Sequence, residues 1–255
     1  MTVATAGEPY AVHYHVRFDE AGPDGLLRTS GLLRYTQDLA AQHSEALGYD
    51  RAWYRERGLT WLVRAAAVDV LGAIGYGADL AASTRVLGFR RVWSRRESAF
   101  RLGEALVAVV RIDWLLLDER GAPARIPVEI ESAFPGTGGP TPLQLARVPL
   151  AEAPEGVRAR SFAVRPQELD PLDHVNNAIY ADWVDEAIVG VSGDGAAAVG
   201  TVPRRVRLEY ALAASPGDRL TAASWDDDGG WSCRISRNTD GADLVRARLE
   251  PGRPR

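Results

Sequence analysis

The chain has no lysine, and Cys233 is the single cysteine in its 255 residues. Without lysine there can be no Schiff-base catalysis, pyridoxal phosphate anchor, P-loop lysine or lysine-activated serine. One cysteine excludes an internal disulfide and a cysteine-rich zinc site. No G-x-S-x-G turn occurs, and the glycine-rich "GTGG" at 136–139 lies in a linker-like stretch. No run approaches the roughly 20 apolar residues of a membrane-spanning helix. The first residues lack a basic segment followed by an apolar one, so a cytoplasmic protein is expected. All 30 basic residues are arginine, which reads as the codon bias of a GC-rich genome. They are outnumbered by 34 acidic residues, and the net charge of -4 gives no bulk attraction to nucleic acid.

The chain divides near its middle. Residues 134–156, "FPGTGGPTPLQLARVPLAEAPEG", are rich in Pro and Gly and lack periodicity. This predicts two domains, 8–135 and 159–251, with a linker over 136–158. The halves begin alike, with "YHVRFDEAGPDGLLRTSGLLRYTQDLAAQH" from Tyr14 and "FAVRPQELDPLDHVNNAIYADWVDEAI" from Phe162. Val16-Arg17 and Val164-Arg165 lie 148 positions apart, and the same shift places Tyr35 over Trp183. Each half reads as a strand, an acidic loop, an amphipathic helix and then strands, the order expected of a tandem repeat. In the first half "STRVLGFRRVWSRRESAFRL", "EALVAVVRIDWLLLD" and "IPVEIESAF" read as strands. In the second, "DDDGG" and "NTDGAD" mark hairpin turns between short strands. The predicted class is α+β, with each half an antiparallel sheet around a long helix and the two sheets paired edge to edge.

The chemistry concentrates in "DPLDHVNNAIY", residues 170–180. A carboxylate and asparagines at a helix start could supply an activated water or a carboxylate nucleophile, and a donor for a carbonyl oxygen as it gains charge. Asp170 is the candidate for the first role. Asn176 and Asn177 stand where a helix N-cap belongs, so the positive end of that helix would face the carbonyl. His174 would orient Asp170, the water or the substrate. Glu186 lies on the helix four residues after Asp182, and families with a similar motif carry a Glu at its position, a resemblance that implies a second-choice carboxylate. Asn177, Tyr180 and Trp183 are the expected substrate contacts. An acidic turn and a helix cap are the plain structural alternative for the loop, and a solvated helix face is the favoured one for Glu186.

The motif resembles that of hot-dog thioesterases related to 4-hydroxybenzoyl-CoA thioesterase, in which an Asp precedes His-Val-Asn-Asn by four residues and a Tyr and helix follow. The tandem layout resembles acyl-acyl carrier protein (acyl-ACP) thioesterases, also through "GLTWLVRAAAVDV", "YADWVDEA" and "RLEYALAASPGDRL". The resemblance implies two fused hot-dog domains and hydrolysis of acyl-ACP or acyl-CoA to a free acid. It implies no metal or other cofactor, and no nucleic-acid or membrane partner. A monomer acting as an internal pseudo-dimer is expected, or a homodimer. Two departures stand out: Leu172 replaces a plant-type Asn two residues after the Asp, and Ala213 and Ala214 replace a Glu-Cys pair. One active site is expected, because Gly22 occupies the position of Asp170 in the first half. Two alternatives stay open from sequence: an acyl-thioester binding module without catalysis, and a hot-dog hydratase or dehydratase.

Among the other residues, His13 and His15 share a strand face without a third ligand, so no metal is expected there. His43 and Cys233 read as structural. Arg90, Arg91, Arg95 and Arg96, and likewise Arg204, Arg205 and Arg207, read first as solvated faces. Docking of an acidic carrier protein or of a phosphopantetheine phosphate is their second reading.

Overall fold

A computed structural model of the chain describes residues 9–134 and 147–252. The first half runs β1 (Tyr10–His15), α1 (Thr29–Ala46), α2 (Arg51–Glu56), β2 (Thr60–Val70), β3 (Asp79–Arg90), β4 (Trp93–Leu102), β5 (Ala105–Leu117) and α3 (Val128–Ala133). The second runs β6 (Ala159–Ala163), α4 (Asn177–Val189), α5 (Gly193–Gly200), β7 (Arg204–Tyr210), β8 (Arg219–Asp227), β9 (Gly230–Arg237) and β10 (Asp243–Pro251). All ten strands join one antiparallel sheet in the order β1-β3-β4-β5-β2-β7-β10-β9-β8-β6. The order is a palindrome about β2 and β7. These two strands pair directly, with Val68 opposite Val206 and Asp69 opposite Arg205.

Each half folds its sheet around one helix, the hot-dog arrangement expected. Leu32, Leu33, Tyr35, Thr36, Leu39, Ala40 and His43 form the buried stripe of α1 at helical spacing. In α4 the stripe is Ala178, Ala181, Val184, Ala187 and Ile188. The strands alternate inward and outward, most cleanly in β7, where Arg204, Val206, Leu208 and Tyr210 are the buried set. One hydrophobic core runs through both halves and includes Leu39, Phe100, Ile112, Val184, Leu208 and Ile235. Cys233 is fully buried within it.

A charged ladder crosses the outer face of the sheet. Arg85 on β3 pairs with Glu97 on β4, and Glu97 pairs with Arg111 on β5. Arg111 reaches Asp69 on β2, and Asp69 takes Arg205 on β7 in two hydrogen bonds. The last link crosses the seam between the halves.

Three elements differ from expectation. "IPVEIESAF" is not a strand: Ile126, Ile130 and Phe134 are buried while Val128 is exposed, so the apolar period is four rather than two. α5 was not expected; its cap is Ser192, whose Oγ accepts from Gly195 N at 3.3 Å. A Cβ on Gly195 would stand 2.2 Å from the Ile188 carbonyl oxygen, so only glycine lets α5 lie against the end of α4. The arginine clusters are not simply solvated, since Arg96 and Arg204 are buried. Of the expected linker, 136–146 lie outside the described residues. Residues 147–158 carry no helix or strand, and Val148 N donates to Glu209 Oε2 at 2.9 Å.

Candidate active site

The loop before α4 copies the loop before α1 bond for bond. Asp170 N donates to the His174 carbonyl at 2.7 Å, as Gly22 N does to Leu26 at 2.8 Å. Asn176 N donates to the Glu168 carbonyl at 2.9 Å, as Arg28 N does to Glu20 at 3.1 Å. Beneath each loop lies a buried glutamate. Glu168 takes the Arg165 backbone N–H at 2.6 Å and Trp183 Nε1 at 3.2 Å. Glu20 takes the Arg17 N–H at 2.9 Å and the Tyr35 hydroxyl. The shift that aligned Tyr35 with Trp183 in sequence therefore aligns equivalent partners in space.

The copies differ where the chemistry was expected. Asp170 is half-buried and its Oδ1 accepts the Leu172 N–H at 2.8 Å, which holds the carboxylate within its own turn. Asp173 adopts φ of 60°, and the equivalent Gly25 has φ of 75°. The left-handed conformation suits glycine, and Asp tolerates it better than most residues. Asp173→Gly is expected to keep kcat, whereas Asp173→Val is expected to cost about 1–2 kcal/mol and to lower kcat by misplacing Asp170. Thermal melts and initial rates on the two variants check this; equal behaviour of Val and Gly would refute the constraint.

Asn176 is the N-cap of α4. Its Oδ1 accepts the Ala178 N–H at 2.9 Å, so that helix donor is already engaged. Its Nδ2 donates to Gln37 Oε1 on α1 at 3.4 Å. Gln37 Nε2 is buried and has no hydrogen-bond partner among the described residues, an unsatisfied donor of the kind that a ligand oxygen would satisfy. Asp170, Asn176 and Gln37 all line one cavity of 690 Å³. From Gln37 it follows α1 past Ala40 and Ala41 to Ser44, and its apolar wall includes Trp61, Val86, Phe89, Trp114, Ile130 and Phe134. Arg51 on α2 closes over the loop, donating to the Pro171 carbonyl at 3.0 Å. The carboxylate-bearing loop thus comes from the second half and the pocket from the first.

The remaining candidates lie elsewhere. His174 is exposed and outside the cavity wall, and its ring has no hydrogen-bond partner among the described residues. Glu186 is exposed and paired with Arg160 of β6. Tyr180 is buried in the second half's core, where its hydroxyl accepts the Ala214 N–H at 2.8 Å. Burial pushes that hydroxyl's pKa up to about 12. Trp183 packs on Phe162 and Tyr180 at ring distances of 4.9 and 5.0 Å. Asn177 receives the Tyr210 hydroxyl on its backbone carbonyl at 3.1 Å. None of these five lines the cavity.

Sequence reasoning missed Gln37 and Arg96. Arg96 lines the cavity and is 7% exposed. Its Nη1 lies 2.9 Å from His43 Nδ1. Desolvation by burial, then the adjacent Arg96 charge, lowers the His43 pKa to about 4. His43 is therefore neutral near pH 7, free to accept at Nδ1. Burial also lowers Arg96 to about 10, which leaves it charged. No group of three or more His, Cys, Asp or Glu among the described residues is placed to hold a metal ion. Nor is any described helix long and apolar enough to cross a membrane.

A doubled hot-dog sheet with one asparagine-capped helix and a carboxylate loop over an apolar cavity defines a thioesterase-type architecture. Residues 7–134 match the family model for the acyl-ACP thioesterase N-terminal domain, and residues 151–250 match that for the C-terminal domain. The chain belongs to the acyl-ACP thioesterase family. Its fold is similar to that of an acyl-ACP thioesterase from Bacteroides thetaiotaomicron (TM-score 0.79, 15% identity, covering 94% of this chain and 96% of that one). It is also similar to the 12:0-ACP thioesterase from Umbellularia californica (TM-score 0.78, 18% identity, 97% and 98% covered). No curated protein matches the sequence.

Proposed function

We propose that the chain hydrolyses acyl thioesters carried on acyl carrier protein, releasing a free carboxylic acid and the carrier thiol. The observation that carries this reading is the shared cavity: a half-buried carboxylate, Asp170, and a partnerless amide donor, Gln37 Nε2, line the same apolar pocket. Family membership favours the carrier protein over coenzyme A.

In this mechanism the acyl chain lies along α1 with its carbonyl between Asp170 and Gln37. Asp170 takes a proton from water as the oxygen attacks the carbonyl carbon. Gln37 Nε2 donates to the carbonyl oxygen as it becomes an oxyanion. Collapse of the tetrahedral intermediate expels the thiolate, which takes the proton from Asp170. Asn176 positions both helices through its cap and its bond to Gln37. His174 and Glu186 have no part in this scheme. Residues 8–135 act as the pocket domain and 159–251 as the domain bearing the loop.

Thiol release from a panel of acyl-ACP and acyl-CoA substrates tests the reading, with turnover expected and faster on acyl-ACP. Gln37→Leu is expected to lower kcat roughly 10²-fold, the usual effect of losing an oxyanion donor. Retained binding of acyl thioesters with no thiol release from any of them would instead identify a binding module.

A further inference from the structure

The inward face of β4 carries Ser94, Arg96, Ser98 and Phe100, an uncommonly polar set for strand positions that point at a core. Ser98 is satisfied by Thr84 Oγ1 of β3 at 3.1 Å, and Phe100 fills the core beside Tyr35. Arg96 has no such account. Its partners among the described residues are His43 Nδ1, the Phe134 ring, whose centroid lies 5.4 Å from Cζ, and the Tyr54 side chain, whose neighbouring hydroxyl favours the charge. No described carboxylate pairs with it. A guanidinium offers five N–H donors in a fixed fork, and neutral His43 accepts one. The others have no protein acceptor in the described structure. A buried charge without a counter-charge is costly, and its usual resolution is an anionic partner.

The place of this charge is specific. Arg96 shares the cavity wall with Val86, Phe89, Trp114, Ile130 and Phe134, so the surroundings suit an alkyl chain and the guanidinium does not. It is also set back from the reacting end. Gln37 contacts Asn176, whereas His43, which holds Arg96, lies six residues further along α1. At about 1.5 Å per residue this is about 9 Å along the helix axis.

We propose that the acyl group admitted to this cavity carries a carboxylate on its distal part, bound by Arg96, so that the preferred substrates are ω-carboxyacyl thioesters rather than simple fatty acyl thioesters. This rests on the thioesterase reading and specifies its substrate. The methylene chain packs on the aromatic and aliphatic wall, and the terminal carboxylate accepts from the free edge of the guanidinium as a planar, bidentate match. The same arrangement disfavours a terminal methyl, which would leave Arg96 desolvated and unpaired.

The test compares kcat/KM of the full chain on adipoyl, suberoyl and sebacoyl thioesters with hexanoyl, octanoyl and decanoyl thioesters. The best dicarboxylic substrate is expected to exceed the best monocarboxylic one by roughly ten- to a hundredfold, the range for a hydrogen bond to a charged group. Arg96→Met, close to the original in volume, is expected to abolish or reverse that preference while the protein still hydrolyses the simple chains. Equal or better use of the simple chains by the wild type, or an unchanged preference in Arg96→Met, would overturn the proposal. Calorimetry with non-hydrolysable S-alkyl-CoA thioethers, with and without a terminal carboxylate, needs neither turnover nor a variant. Tighter binding of the carboxylated thioether supports the Arg96 contact even if no thiol is released, a result that would sink only the hydrolytic reading. Equal binding of the two thioethers would overturn the contact.

Discussion

Replacing Asp170 by Asn is expected to lower kcat for thiol release about 10²–10⁴-fold, the span associated with a positioned general base. Folding should be nearly unaffected. The Asn side chain keeps an oxygen that can accept the Leu172 N–H now held by Oδ1 at 2.8 Å, and the turn's backbone bonds do not involve the side chain. What is lost is the capacity to take a proton. KM should change little, because the apolar wall that binds the chain belongs to the other half of the molecule. Initial rates and a thermal melt on the same preparation separate the two effects. A variant retaining more than about a tenth of wild-type kcat would remove Asp170 from the proton-transfer role.

Asp69→Ala is expected to produce the largest loss of stability, about 3 kcal/mol. Asp69 is 4% exposed and is shared by Arg205 across the seam and Arg111 on the neighbouring strand. Removing it leaves two guanidinium groups near each other with their common counter-charge gone. Breaking a buried pair from one side costs more than the pair contributes, because the desolvated partner remains. For a chain of this length the loss corresponds to a fall in Tm of about 6–12 °C. Asp69→Leu combined with Arg205→Leu should recover much of it, since the pair is replaced from both sides and Arg111 keeps its pair with Glu97. Chemical denaturation of the single and double variants decides the matter. A single variant within about 1 kcal/mol of wild type would place the ladder with ordinary surface ion pairs.

The repeat was legible because a duplicated loop keeps the residues that satisfy its own backbone. Val-Arg at 16–17 and 164–165 mark the strand ends, and Glu20 and Glu168 sit three residues after each arginine as the buried acceptors. The Asn176 cap was legible for the same reason, since an N-cap bonds to a residue two positions away. Tyr180 and Trp183 were harder. Both belong to a buried helical face, and periodicity reports that a residue is buried without reporting what it is buried against. The α3 segment was misread because "IPVEI" alternates over too few residues to separate a strand from one helical turn.

The sequence by itself determined the class, the duplicated order of elements, the loop that carries Asp170 and the cap beside it. Each depends on residues within a few positions of one another, where short-range sterics and hydrogen bonding leave few choices. Only the tertiary structure decided which residues share a cavity. The cavity joins Asp170 and Asn176 to Gln37, which lies 139 residues from Asn176 in sequence, and to Arg96 on a strand between. It also turned Arg96 from one member of an apparent surface cluster into a charge inside an apolar wall. Strand pairing sets which side chains share a face and helix packing sets which faces meet, and neither is encoded by local spacing.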